Sequence, residues 1–222
     1  MEPYSIVAPP YVYAQTSAGV RALYTLALEL KARGQDVRIV EQGVSAKSWR
    51  GIVVYSETVA GNPLGSANVV RWTLNKPGYL GGDATYGPAE RVWTWSKAFY
   101  DAPLLTVETI DRGLFYTDDT MREFDTAYYG KALQRGVERV PLTRHMREID
   151  RTPWPARRED LADLLHRTRT LYTYDDCTAL IDEASLCGCR VVLLPEGTDI
   201  TRKVEVIDHA ARIDAFVQAA QA

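Results

Sequence analysis

The chain has 222 residues, 46% of them hydrophobic and 25% charged, and carries a net charge of −3. That length allows one large domain or two small ones with a sizeable core, while the near-balanced charge excludes a global field that would hold nucleic acid and leaves only a local basic face. No run of about 18 apolar residues occurs, so no transmembrane helix is expected; MEPYSIVAPP lacks the regions of a signal peptide, and three clustered cysteines (Cys177, Cys187, Cys189) fit a reducing cytoplasm rather than a disulfide framework.

Tyr4–Ala8 reads as a short apolar strand that ends at Pro9-Pro10. After a loop rich in Tyr, Gln, Thr and Ser, Ala18-Gly19 opens a helix to about Arg33, with Val20, Leu23, Leu26, Ala27 and Leu30 at helical spacing and Gly34 as its stop. A strand over 37–40 follows. Such a strand–helix–strand unit requires a right-handed crossover and forecasts a doubly wound α/β domain. A third strand over 52–55 ends at Ser56-Glu57; then come the turn-rich loop 61–65, a helix over about 66–74, a glycine- and proline-rich loop 77–82 expected to line a cleft, and strands over 92–95 and 104–107. Glu57, Asn62, Asn68 and Arg71 are polar residues near a strand's carboxyl end, where ligands bind. Glu57 is the catalytic candidate among them.

The second half begins with a strand over 127–131 ending in Gly130 and Lys131, with Arg135-Gly136 close behind. Nine arginines lie between 135 and 169, interleaved with six acidic residues, so the stretch is not a purely basic block. Short strands are expected over 137–142 and 146–149. Pro153-Trp154-Pro155 then breaks the chain before a helix over 158–168. Residues 171–197 read as a βαβ unit: a strand over 171–174, an acidic loop (Asp175, Asp176), a helix over 178–187 with apolar residues at 180, 181, 184 and 187, a glycine stop at Gly188, and a strand over 191–194. Ligands bind at the carboxyl ends of such strands, where a helix N-terminus offers N–H groups, which points to Asp175–Thr178. Asp176 suits the N-cap. Glu183 lies in an otherwise apolar helix and needs a partner if buried. Cys187 and Cys189 read as small buried residues around the glycine, and the three histidines show no spacing that would complete a zinc site with them. A short strand over 204–207 and an amphipathic helix over 209–219 close the chain.

Several of these motifs resemble the nucleotide-sugar glycosyltransferases of the two-domain GT-B fold, particularly the retaining, family-4-like ones. Asp175 and Glu183 are separated by seven residues, and Ala184, Gly188 and Val191-Val192 follow in the family's order. Ser17-Ala18-Gly19-Val20-Arg21 and the helix behind it resemble the family's first unit, and Ile110-Asp111 to Phe115 resembles the segment between the two halves. The resemblance implies two small Rossmann-like doubly wound domains facing a cleft: an acceptor-side domain over 1–106, and a nucleotide-sugar domain over 107–222 with a closing helix that crosses back to the first half.

By the same resemblance, Lys131 and Arg135 hold the donor diphosphate, where preorganised cations stabilise the charge left by bond cleavage. Asp175, Thr178, Glu183 and Gly19 contact the donor. No metal or cofactor is implied, the nucleotide diphosphate sugar being itself the donor substrate. The acceptor is a saccharide or, as a second option, a modified (hydroxymethylated) DNA base. The alternative is a catalytically degenerate domain that binds a nucleotide sugar or polymer without transfer. The dinucleotide fingerprint G-x-G-x-x-G, the P-loop, the G-x-S-x-G elbow and H-E-x-x-H are all absent from the sequence.

Overall fold

Two five-stranded sheets organise the chain in the computed structural model, which describes residues 1–118, 122–130 and 136–222. Met1–Thr109 together with Ile207–Ala222 form one unit, and Ile110–Val206 form the other. The division falls after Thr109, close to residue 106, and the closing helix returns to the first unit.

In the first unit β1 (Tyr4–Ala8), β2 (Val37–Glu41), β3 (Trp49–Ser56), β4 (Ser66–Thr73) and β5 (Arg91–Thr94) form a parallel sheet of order β2-β1-β3-β4-β5. The order reverses between β1 and β3, the switch point at which doubly wound sheets bind ligands. Side-chain alternation divides the core in two. Tyr4, Ile6, Ile52, Val54, Val70 and Trp72 face α1 (Ala18–Ala32) and α4 (His209–Gln221). Val7, Val53, Tyr55 and Val69 face the opposite side, which is covered by Val59 and Leu64 of a loop.

The expected helix over about 66–74 is instead β4, because Val69, Val70, Trp72 and Thr73 are β-branched or aromatic and are buried on both faces of a central strand. Residues 104–107 contribute only a single bridge, Leu104 to Thr94.

The second unit has the order β10-β9-β8-β6-β7, with β6 (Phe124–Tyr128), β7 (Met146–Ile149), β8 (Thr168–Thr173) and β9 (Arg190–Leu193) parallel and β10 (Thr198–Asp199) antiparallel at the edge. Its switch point lies between β6 and β8. Helices α2 (Arg158–His166) and α3 (Leu180–Leu186) carry Leu161, Leu164, Leu165, Ile181 and Ala184 into one core with Leu171 and Val191. Phe115, at the end of the Ile110-Asp111 segment, is fully buried in that core.

Other expected elements differ as well. The strand expected over 127–131 is β6 and ends at Tyr128, 137–142 contains no strand among its described residues, 204–207 is not a strand, and α3 is shorter at both ends than 178–187. Among the described residues no helix is long and apolar enough to cross a membrane.

Candidate functional site

Each switch point gathers polar side chains. In the first unit, β3 runs out at Ser56 and places Glu57 at the carboxyl edge of the sheet, only 2% exposed. Glu57 Oε2 accepts a hydrogen bond from the backbone N–H of Leu74 at 2.8 Å. Burial pushes its carboxyl up to about 7, although backbone N–H groups of Leu74, Glu57 and Asn75 partly offset this. A Cβ built on Gly82 would lie 1.9 Å from the Glu57 carbonyl oxygen, so the loop crosses Glu57 where only glycine fits, and Gly82 is left-handed as well (φ 72°).

Gly19 sits in the first turn of α1, behind the N-cap Ser17, whose side chain accepts from Val20 N–H. A Cβ there would meet Leu74 at 3.8 Å, an ordinary contact. Leu74 therefore links Gly19 and Glu57, and the two candidates share one corner of the first unit. Gly19 belongs to the first unit, and the other donor-binding candidates, Asp175, Thr178 and Glu183, to the second.

Beside them lies a network not anticipated from the sequence. Arg71 is 1% exposed and projects from β4 between two tyrosine rings, with Cζ 5.0 Å from the Tyr55 centroid and 5.4 Å from that of Tyr86. Its guanidinium donates to Glu90 Oε1 at 2.7 Å, to Val59 O at 2.7 Å and to Gly61 O, tying two loops to the sheet. Asn62 Oδ1 accepts from the Tyr55 hydroxyl and from Ser66 N–H, and Asn68 donates to Glu2, so both act in structure.

In the second unit Glu183 is 3% exposed and ion-paired with Arg158, Nη1 to Oε1 at 2.7 Å. Arg158 stacks on Phe115 at 4.7 Å, and its Nη2 is buried without a hydrogen-bond partner. Arg151 is buried nearby, holds a left-handed φ of 67°, and donates to Pro155 O at 3.1 Å; burial lowers its pKa against the opposing charge of Glu183. Such a backbone is costly for a non-glycine residue and marks positions where the surroundings dictate the conformation. Tyr128, at the end of β6, has its hydroxyl pushed up to about 12, first by burial and then by the charge of Asp175, while a hydrogen bond to Thr178 pulls the other way. The carboxyl edge of β6 and β8 thus collects Tyr128, Arg151, Arg158, Asp175, Thr178 and Glu183.

The loop after β8 is arranged differently from expectation. Asp175 Oδ1 accepts from Cys177 N–H at 2.9 Å, and Thr178 Oγ1 accepts from Leu180 N–H at 3.3 Å. Asp176 is not the N-cap; that position is Ala179, with no side-chain cap, and Asp176 Oδ1 instead receives the Cys177 thiol. Polar side chains of the loop therefore take up N–H groups that were expected to face an anion. Asp175, Asp176 and Cys177 also bring three metal-capable atoms within 4.8 Å of one another, but these come from three successive residues. Lys131 and Arg135 lie outside the described residues. Compared with protein-family models and with curated proteins, the chain matches none.

Proposed function

We propose that this chain is a glycosyltransferase of the two-domain GT-B type, moving a sugar from a nucleotide diphosphate sugar to an acceptor held by the first unit. The observation that carries this reading is the cluster at the carboxyl edge of β6 and β8, where a tyrosine, two buried arginines, Asp175, Thr178 and Glu183 converge on a switch point. In this reading Asp175 and Glu183 accept hydrogen bonds from sugar and ribose hydroxyls, Thr178 lies beside them, Gly19 and Glu57 serve the first unit, and Lys131 and Arg135 stabilise the departing diphosphate. A saccharide is the first acceptor class and a hydroxymethylated DNA base the second.

One observation favours a second reading. Glu183 already receives Arg158, so part of its hydrogen-bonding capacity is spent inside the protein. A domain that binds a nucleotide sugar or a polymer without transferring the sugar is consistent with that. The deciding experiment offers pooled UDP-, GDP-, ADP- and TDP-sugars with pooled saccharides and hydroxymethylated DNA, and follows released nucleotide and glycosylated product by mass spectrometry. Transfer establishes the first reading, and a rise in Tm with donor but no product the second. Neither consumption nor a Tm shift refutes both.

A further inference from the structure

The start of α4 is tied to the rest of the first unit by a run of side-chain hydrogen bonds that the proposed function does not use. Thr106, 2% exposed, lies just before the chain leaves the first unit at Thr109, and His209 opens α4 just after the chain returns at Ile207. Thr106 Oγ1 and His209 Nδ1 are 2.9 Å apart. Arg212, from the next turn of α4, brings Nη1 to the same Thr106 oxygen, also at 2.9 Å. On the other side of the ring, His209 Nε2 lies 3.9 Å from Glu108 Oε2. Asp208 is the N-cap of the helix, and its Oδ1 accepts from Ala211 N–H.

A guanidinium only donates, so Thr106 Oγ1 accepts from Arg212 and has its single proton left for His209. Nδ1 is then the acceptor, and the neutral ring carries its hydrogen on Nε2, towards Glu108. A proton on Nδ1 upsets this order. Two cationic groups then aim donors at one oxygen, and the Thr106 proton, at a buried position, loses its acceptor. Burial is the main influence on the ring and lowers its pKa below the usual 6.5; Glu108, the Thr106 backbone and Asp208 pull the other way, and Arg212 adds to the lowering. Glu108 is more than half exposed, so solvent screens its pull. We propose that Thr106, His209 and Arg212 form a proton-operated latch on the N-terminal turn of α4, closed while the imidazole is neutral and released when Nδ1 takes a proton. Since the unfolded ring titrates near 6.5, the latch contributes fully above that pH and is lost as pH falls through the lower folded-state value.

The test uses the full chain. Heteronuclear NMR of the ring nitrogens follows His209 through a pH titration in the wild type and in Thr106→Val. Amide hydrogen exchange, corrected for the intrinsic rate at each pH, is read at Arg212 and Ile213. The wild-type ring titrates below pH 6.5 and does so from the Nε2–H tautomer. Thr106→Val titrates at a higher pH, because the donor to Nδ1 is gone. Protection of the two amides falls by about threefold or more between pH 7.5 and pH 5 in the wild type. It stays level in His209→Asn, which keeps an acceptor near the position of Nδ1 but takes up no proton. A ring that titrates at or above its usual pH, a midpoint that does not rise in Thr106→Val, or equal loss of protection in the wild type and His209→Asn overturns the proposal. The wild-type titration and tautomer decide by themselves where a variant fails to fold.

Discussion

Replacing Glu57 by Gln is expected to change how the stability of the first unit depends on pH. The folded-state pKa of this carboxyl is raised from 4.5 to about 7. Between those values the folded protein holds a proton that the unfolded chain has released. The associated stability is fully present below pH 4.5 and is lost as pH rises through 7. At about 1.4 kcal/mol per pH unit, the interval corresponds to about 3 kcal/mol. Glutamine keeps an oxygen for the Leu74 N–H but has no proton to lose, so the wild type should fall by about 3 kcal/mol relative to Glu57→Gln between pH 4.5 and 8. Urea unfolding followed by indole emission suits the measurement, since Trp49, Trp72, Trp93 and Trp95 lie in the first unit and only Trp154 in the second. Groups common to both proteins, such as His209, whose pKa burial lowers, cancel in the difference. Parallel curves across the range, or a wild type that gains stability with rising pH relative to the variant, would refute the assignment of Glu57 as a carboxyl buried without a cation.

In the second unit, Arg158→Met should cost about 3–5 kcal/mol by leaving Glu183 buried without its ion-pair partner; adding Glu183→Leu should recover most of that loss, as read by urea unfolding followed by circular dichroism. Gly82→Ala places a Cβ 1.9 Å from a backbone oxygen and should lower Tm sharply, whereas Gly19→Ala makes only ordinary contacts and should be neutral or stabilise α1 by up to about 1 kcal/mol. If Gly19 admits a ligand to the backbone, that same variant loses ligand binding while keeping its Tm. Burial pushes the Cys187 and Cys189 thiols up to about 12, so a disulfide reagent at pH 8 should label Cys177 rapidly in the folded protein and the other two only after denaturation.

What could be read from the sequence follows from how local each signal is. β1 coincides with its apolar run, and α1 with its three- and four-residue spacing and its glycine stop, because pattern and boundary sit within a few residues of each other. Residues 66–74 mislead because a strand buried on both faces loses its two-residue alternation, and Val69, Trp72, Val70 and Leu74 then fit helical spacing equally well. At the candidate sites, the position of Glu57 follows from the strand before it. Pairing of Arg158 with Glu183 spans 25 residues, and no local pattern records which of the many arginines in that stretch turns inward. Tyr86 lies in a loop whose glycines announce a turn but not the burial of a phenol. The aromatic and charged surroundings of Arg71 come from β3, β4 and two loops, and exist only once the strand order is set.

The first unit is assembled from two separated stretches, because Ile213, Phe216 and Ala220 of α4 complete the core that contains Tyr4 and Trp93. Residues 110–206, by contrast, are one continuous stretch and can close their own sheet without the rest of the chain. A chain truncated after Val206 and released should therefore carry a protease-resistant second unit and a first unit with its apolar flank uncovered. Chaperones would engage such a chain at that flank, around Tyr4 and Trp93, which α4 seals in the full protein.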